Sequence, residues 1–265
     1  MQSSSSWQTE DVLVTVRAYP NPSQKHRETS CVAGVRLRDH SWVRLHPIPY
    51  RLLPDGQKFR KYDVVRLKVQ RSSDPRPESY RINLNADIER VSRIETQKQW
   101  RERNEILFPL RSDCVEDLQS RDVGEQSLGL VHVRKLQELV IEPQEGGWSE
   151  QQRRFLTTRR FFDPEIITLE SPPYAFSYRY LCDNPNCRGH RMKIVDWEVI
   201  QTYRNWRWTY GSNWEEKFRQ KYEDEMAKRD FHLFLGTMLR HPKSWITIGI
   251  YYPPTVMSQS HSRAI

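Results

Sequence analysis

Residues Val12 to Gln70 read VLVTVRAYPNPSQKHRETSCVAGVRLRDHSWVRLHPIPYRLLPDGQKFRKYDVVRLKVQ, and their two-residue period decides the fold. Val12, Val14 and Val16 alternate with Leu13, Thr15 and Arg17, and Ala33, Val35 and Leu37 with Gly34, Arg36 and Arg38. Val43 and Leu45 alternate with Trp42, Arg44 and His46, and Val65, Leu67 and Val69 with Arg66, Lys68 and Gln70. An extended chain sends successive side chains to opposite faces, so each run carries one apolar face. Four such strands predict a small antiparallel β-barrel, broken by Pro20-Asn21-Pro22, by Pro47 to Pro54 and by Asp74-Pro75-Arg76-Pro77. A fifth strand is expected over 86–94. The segment Asp74 to Arg81 reads as a stiff exposed loop presenting Arg76, Glu78 and Tyr80.

Downstream the period changes. Thr96 to Gln99 has the form of a capping box opening a helix toward Leu107, and a second helix is expected over 113–118. A strand region follows over 129–141, then a loop at 143–147 taken as a domain boundary. Ser149 to Gln152 is another capping box, on a basic helix toward Arg160. Tyr174 to Leu181 alternates as a strand, Asp196 caps a helix to Trp206, and Ser212 caps another reaching Lys228. On the last helix Trp214, Phe218 and Tyr222 recur every four residues, a stripe that reads as core. A hairpin over 231–252 closes the chain. The fold class is α+β: a basic barrel domain over 11–142, and an α+β domain over 148–254.

A charged fraction of 29%, with 9 Trp, 12 Tyr and 9 Phe to pack, excludes a disordered chain. The N-terminus lacks the charged and apolar regions of a secretory signal, and no apolar run approaches membrane length. Only four cysteines are present, Cys182 and Cys187 together and Cys31 and Cys114 apart, which is no disulfide framework, so the expectation is a soluble, cytoplasmic protein with reduced thiols and no membrane partner. No Gly-rich phosphate loop and no Gly-x-Ser-x-Gly turn is present, and no constellation names a reaction.

The strongest chemical signal is Cys182-Asp-Asn-Pro-Asn-Cys187-Arg-Gly-His190. Two thiols and an imidazole on a turn-rich segment suit Zn²⁺ in a tetrahedral structural site. His241, in the expected hairpin turn, is the candidate fourth ligand.

The second signal is charge. Residues 12–85 hold 15 Lys and Arg against 6 Asp and Glu, although the whole chain is only +8. If the apolar strand positions point inward, Arg36, Arg38, Arg44, Arg66 and Lys68 point outward, with Trp42 and His46 beside them. Lys58, Arg60 and Lys61 crowd the loop before the fourth strand. Cations interleaved with a stacking aromatic suit nucleic-acid backbones and bases, which makes RNA or DNA the expected partner. Two alternatives stay open. One is a metal-dependent nuclease or other hydrolase using Asp196 and Glu198, or an open zinc. The other is an interaction subunit whose basic face docks an acidic protein.

With its short strands, its basic loop and Tyr62-Asp63-Val64-Val65 leading into a strand, the N-terminal third resembles a PUA-like barrel, with an OB-like barrel as the alternative form. The PUA-like superfamily includes ASCH and EVE modules, so the resemblance implies RNA binding or the reading of modified bases. It carries no diagnostic residues. Trp42 to Arg51, taken with the Cys-Cys-His stretch and Asp196-Trp197-Glu198, is also similar to a prokaryotic family with no activity attached.

Overall fold

The computed structural model describes residues 6–121, 124–158 and 168–255. The alternating stretch forms β1 (Gln8–Arg17), β2 (Asn21–Ser23), β3 (Arg27–Arg36), β4 (Trp42–Ile48) and β5 (Asp63–Arg71). Then come β6 (Ser79–Ile82) and β7 (Glu89–Arg93). The order β1-β3-β4-β6-β5 closes through pairing of β1 with β5, giving a five-strand barrel with β2 and β7 at its margins. The expected loop at 74–81 therefore contributes a strand. β6 lies parallel to β4, with Arg44 opposite Ser79, and bridges β4 to β5. Inside the barrel pack Val12, Val14, Val43, Leu45, Val65 and Leu67.

After the barrel come α1 (Gln97–Leu107), β8 (Arg111–Ser112), α2 (Val115–Ser120), β9 (Leu128–His132) and β10 (Lys135–Pro143). Next are α3 (Glu150–Thr157), β11 (Tyr174–Leu181), β12 (His190–Ile194), α4 (Trp197–Tyr210) and α5 (Trp214–Arg219), then the hairpin β13 (His232–Met238) and β14 (His241–Tyr251). These seven strands form a second sheet in the order β10-β11-β12-β14-β13-β9-β8. β9 and β10, which the sequence reading grouped with the barrel, hydrogen-bond in this sheet. The loop at 143–147 lies on the path between two of its neighbouring strands, β10 and β11. The segment from Trp214 to Lys228 winds as α-, π- and 3-10 helix in turn. Trp214, Phe218 and Tyr222 are buried there against Phe176, Tyr203 and Tyr178.

Local signals succeed where the side chain meets a free amide. Ser149 and Gln152 exchange both capping-box bonds, and Asp196 caps α4 through the amides of Glu198 and Val199. Thr96 makes no capping bond. Lys98, Gln99 and Trp100 take left-handed backbone instead, so regular helix begins after them. The far end of the expected helix at Arg160 lies outside the described residues.

β1, β3 and β4 are buried on both faces over most of their length, whereas β5 keeps the solvated outer face that alternation predicts, with Arg66 and Lys68 exposed. Leu13, Val16, Val35, Trp42 and Val64 pack outward against Leu128, Leu130, Phe234, Ile248 and Tyr251 of the second sheet. Gly249 permits the approach, because a Cβ there would lie 2.8 Å from Val16. Across the same interface Lys61 reaches Asp196 at 2.6 Å, with both side chains buried. Asp196 is saturated: one oxygen accepts the Glu198 and Val199 amides, the other Lys61 and the Ile250 amide. Burial works against the Lys61 ammonium, but Asp196 and Glu198 outweigh it and hold its pKa above the ordinary value.

Breaking a buried pair strands the remaining charge, at about 3–5 kcal/mol. Lys61→Met should lower unfolding free energy by about that much in chemical denaturation, and adding Asp196→Asn should cost less than the two single changes summed. Additive losses would show that the pair is uncoupled.

Candidate functional site

Four ligand-type side chains converge at one edge of the second sheet. Cys182 follows β11, Cys187 sits in the turn after it, His190 opens β12 and Cys114 precedes α2. Their ligand atoms all lie within 4.8 Å of one another, and none of the cysteines is in a disulfide. His190 Nε2 is 3.3 Å from Cys187 Sγ and 3.5 Å from Cys114 Sγ. A tetrahedral ion with bonds of ~2.3 Å sets its sulfur ligands about 3.7 Å apart, so the cluster has room for one.

The turn is locally built. The Asn184 side chain accepts from the Asn186 amide, its carbonyl accepts from the Cys187 amide, and Gly189 at φ +95° turns the chain into β12. That φ is the left-handed region where a Cβ is penalised. Cys114 arrives through β8, which runs parallel to β9 and is tied onward by the bond from the Asp183 amide to the Asp113 carbonyl. Burial and the neighbouring Glu116 carboxylate push the Cys114 thiol up to about 12, burial raises Cys182 well above the usual thiol value, and burial lowers His190. Thiols and a neutral imidazole are thus favoured until a cation makes thiolates worthwhile. The cluster could hold a metal ion. His241 is not part of this group. It is exposed at the start of β14, and Cys114, 68 residues before Cys182, occupies the position the sequence reading gave to it. No local spacing signals a ligand that sheet pairing delivers.

The expected basic face is dispersed. Arg44 and Trp42 are buried at the interface with the second sheet, Arg44 donating to the Ser127 carbonyl at 2.8 Å. Arg38 pairs with Glu10, Arg66 with Asp11, and Lys58 with Asp55. Arg36 is held by Ser41 and Tyr80. His46 and Lys68 are exposed. Lys61 is buried on Asp196, which leaves that carboxylate no free oxygen for a hydrated Mg²⁺, as the nuclease reading would require.

A different grouping of cations appears where barrel, connector and second sheet meet. A cleft of about 450 Å³ is lined by Arg17, Arg60, Lys61, Arg93 and Arg103, against the carboxylates of Glu95 and Glu198. Tyr62, Trp100 and Tyr252 supply aromatic walls. Lys61 and Arg93 are ion-paired. Arg17, Arg60 and Arg103 have no carboxylate within ion-pairing distance among the described residues. Arg103 is only 3% exposed; it donates to the Ile94 carbonyl and lies 3.7 Å over the Tyr62 ring. Tyr62 and Trp100 both hold positive φ, +68° and +64°, a strained backbone that costs roughly 1–3 kcal/mol per residue and clusters at ligand sites. Of these cations the sequence signalled Arg60 and Lys61; Arg17, Arg93 and Arg103 arrive from β1, β7 and α1.

Among the described residues no helix is long and apolar enough to cross a membrane. No relative is found among curated proteins. A chain of the solved structure "Structure and Conformational Change of a Replication Protein A Heterotrimer Bound to ssDNA" is similar at a TM-score of 0.34 and 10% identity. The match covers 95% of this chain and 50% of that one, so this chain spans about half its length. A likeness at that score carries no argument. Residues 8–109, the barrel and the connector, match Domain of unknown function (DUF8758), and residues 111–264 match Domain of unknown function (DUF8757). The two matches meet where α1 gives way to β8. By the larger of them, spanning the second sheet and the whole cysteine–histidine cluster, the chain belongs to the family Domain of unknown function (DUF8757).

Proposed function

We propose that this is a nucleic-acid-binding protein that uses the cleft between its barrel and its second sheet, and that a structural zinc ion staples that sheet at Cys114, Cys182, Cys187 and His190. The observation that carries the binding reading is the set of three arginines without carboxylate partners, Arg17, Arg60 and Arg103, beside the rings of Trp100 and Tyr252. Guanidinium groups neutralise phosphates and release counterions, while aromatic rings take base faces of any identity. A five-strand closed barrel is compatible with a PUA-like or an OB-like module within this reading. The basic excess of the N-terminal third, to which Arg17 and Arg60 belong, supports the same reading.

Zinc is the favoured metal because three sulfurs and one imidazole match its donor preference, and four protein ligands close the coordination sphere. A closed site binds for stability and leaves no position for a reactive water.

Two measurements test these assignments. Affinity for a single-stranded oligonucleotide should fall as salt rises, with a log–log slope of about −0.7 for each phosphate the cleft neutralises, and Arg60→Gln should weaken binding most at low salt. Binding indifferent to salt would sink the reading. Protein purified without added metal should contain zinc near one equivalent. Cys114→Ser should abolish it and lower Tm by at least about 5 °C, while His241→Ala should leave the zinc content unchanged. Zinc lost with His241 and kept without Cys114 would refute the ligand set.

A further inference from the structure

The cleft is built for a narrower ligand than a nucleic-acid backbone. Arg103 is buried with its guanidinium fixed from two sides: Nε and Nη2 donate to the Ile94 carbonyl, and Tyr62 covers a face. Arg17 is clasped between the rings of Tyr50 and Trp197, 4.0 and 4.9 Å from their centroids, and its buried Nε has no partner. Arg17 Nη1 donates to the Phe59 carbonyl at 3.4 Å, but neither its buried Nε nor the buried Arg103 has an ion-paired carboxylate among the described residues, so the cleft both of them line marks the place of an anion. Arg60 stands exposed at the rim.

The aromatic side of the cleft is equally specific. Lys98, Gln99 and Trp100 follow one another in left-handed backbone, at φ +49°, +56° and +64°, and none is glycine. That run holds the half-buried Trp100 with its centroid 5.4 Å from that of Tyr252. Two rings beside an uncompensated cationic pocket fit a ligand that joins a flat ring system to an anion. About 450 Å³ is the scale of one such small molecule.

We propose that the cleft takes one unpaired nucleotide, its base against Trp100 and Tyr252 and its phosphate against Arg17, Arg60 and Arg103. A base inside a duplex has both faces covered by its neighbours, so only an unpaired or extruded one can lie against these rings. The proposal deepens the nucleic-acid reading and rests on it only for the source of the nucleotide. A free mononucleotide carries the same chemistry.

Calorimetry on the full chain separates the cases. The probes are a nucleoside 5′-monophosphate, the matching nucleoside, inorganic phosphate, and single-stranded and duplex oligonucleotides. The monophosphate should bind at least tenfold tighter than nucleoside or phosphate and displace the single strand, and the single strand should bind tighter than the duplex. Trp100→Leu and Arg103→Met should each weaken the monophosphate about tenfold. Arg60→Gln, at an exposed position that leaves the fold alone, should weaken it several-fold, and Lys243→Gln, outside the cleft, should leave it unchanged. Single-strand binding that is salt-dependent but indifferent to monophosphate and to Arg60→Gln would overturn this proposal while leaving the nucleic-acid reading standing. Monophosphate binding without oligonucleotide binding would support the cleft assignment, identify a free nucleotide as the source, and remove the nucleic-acid reading. Monophosphate, nucleoside and phosphate binding equally, or none binding, would overturn the proposal.

Discussion

The buried ion pair of Lys61 and Asp196 fixes how the two halves of the chain meet. Lys61 comes from the loop entering β5; Asp196 stands between β12 and α4. One carboxylate starts a helix, receives an amide from β14 and neutralises an ammonium from the barrel. Neither charge tolerates burial alone, so the barrel has few ways of sitting against the sheet. Around the pair the packing is apolar and close: Val16 against Gly249, and Trp42 edge-on to Phe234. The approach of Lys61 to Glu198, at 3.3 Å, carries the network to the lining of the cleft.

The cleft is a consequence of that docking. Arg17 and Arg60 belong to the barrel, Trp100 and Arg103 to the connector, Tyr252 to the end of the final strand. No one of these segments makes a pocket by itself. The cysteine–histidine cluster is independent of this arrangement, since all four members lie in the second sheet and its adjoining turns. The chain thus carries two chemically distinct centres. A cationic aromatic cleft lies at the interface of the two halves, and a soft-ligand cluster lies at one edge of the C-terminal half.

The element sequence was largely legible, because strand alternation and helix caps are local. Val12 to Val16 and Val65 to Val69 are strands as their period requires, and Ser149 and Asp196 cap as their side chains allow. The exceptions have tertiary causes. β6 is a strand because β4 and β5 leave it a slot between them, although its sequence, rich in proline just before it, reads as loop. Thr96 forgoes its cap where the chain is bent to bring Trp100 over the cleft.

By itself the sequence determined that this chain folds as α+β with a closed barrel first, and that Cys182, Cys187 and His190 lie together, because each follows from spacing along a few residues. Only the tertiary structure decided which cations face one another. Alternation says that Arg44 and Arg36 share a side of their strands. It cannot say that a second sheet covers that side and buries Arg44, while Arg17, Arg60 and Arg103 line one cleft without ion-pair partners among the described residues. The same holds for Cys114, which reaches the cluster through β8, a two-residue strand whose parallel partner lies 19 residues away. Contacts set by how strands pair and sheets dock leave no periodic trace in the chain, because they depend on surfaces that exist only once both halves have folded.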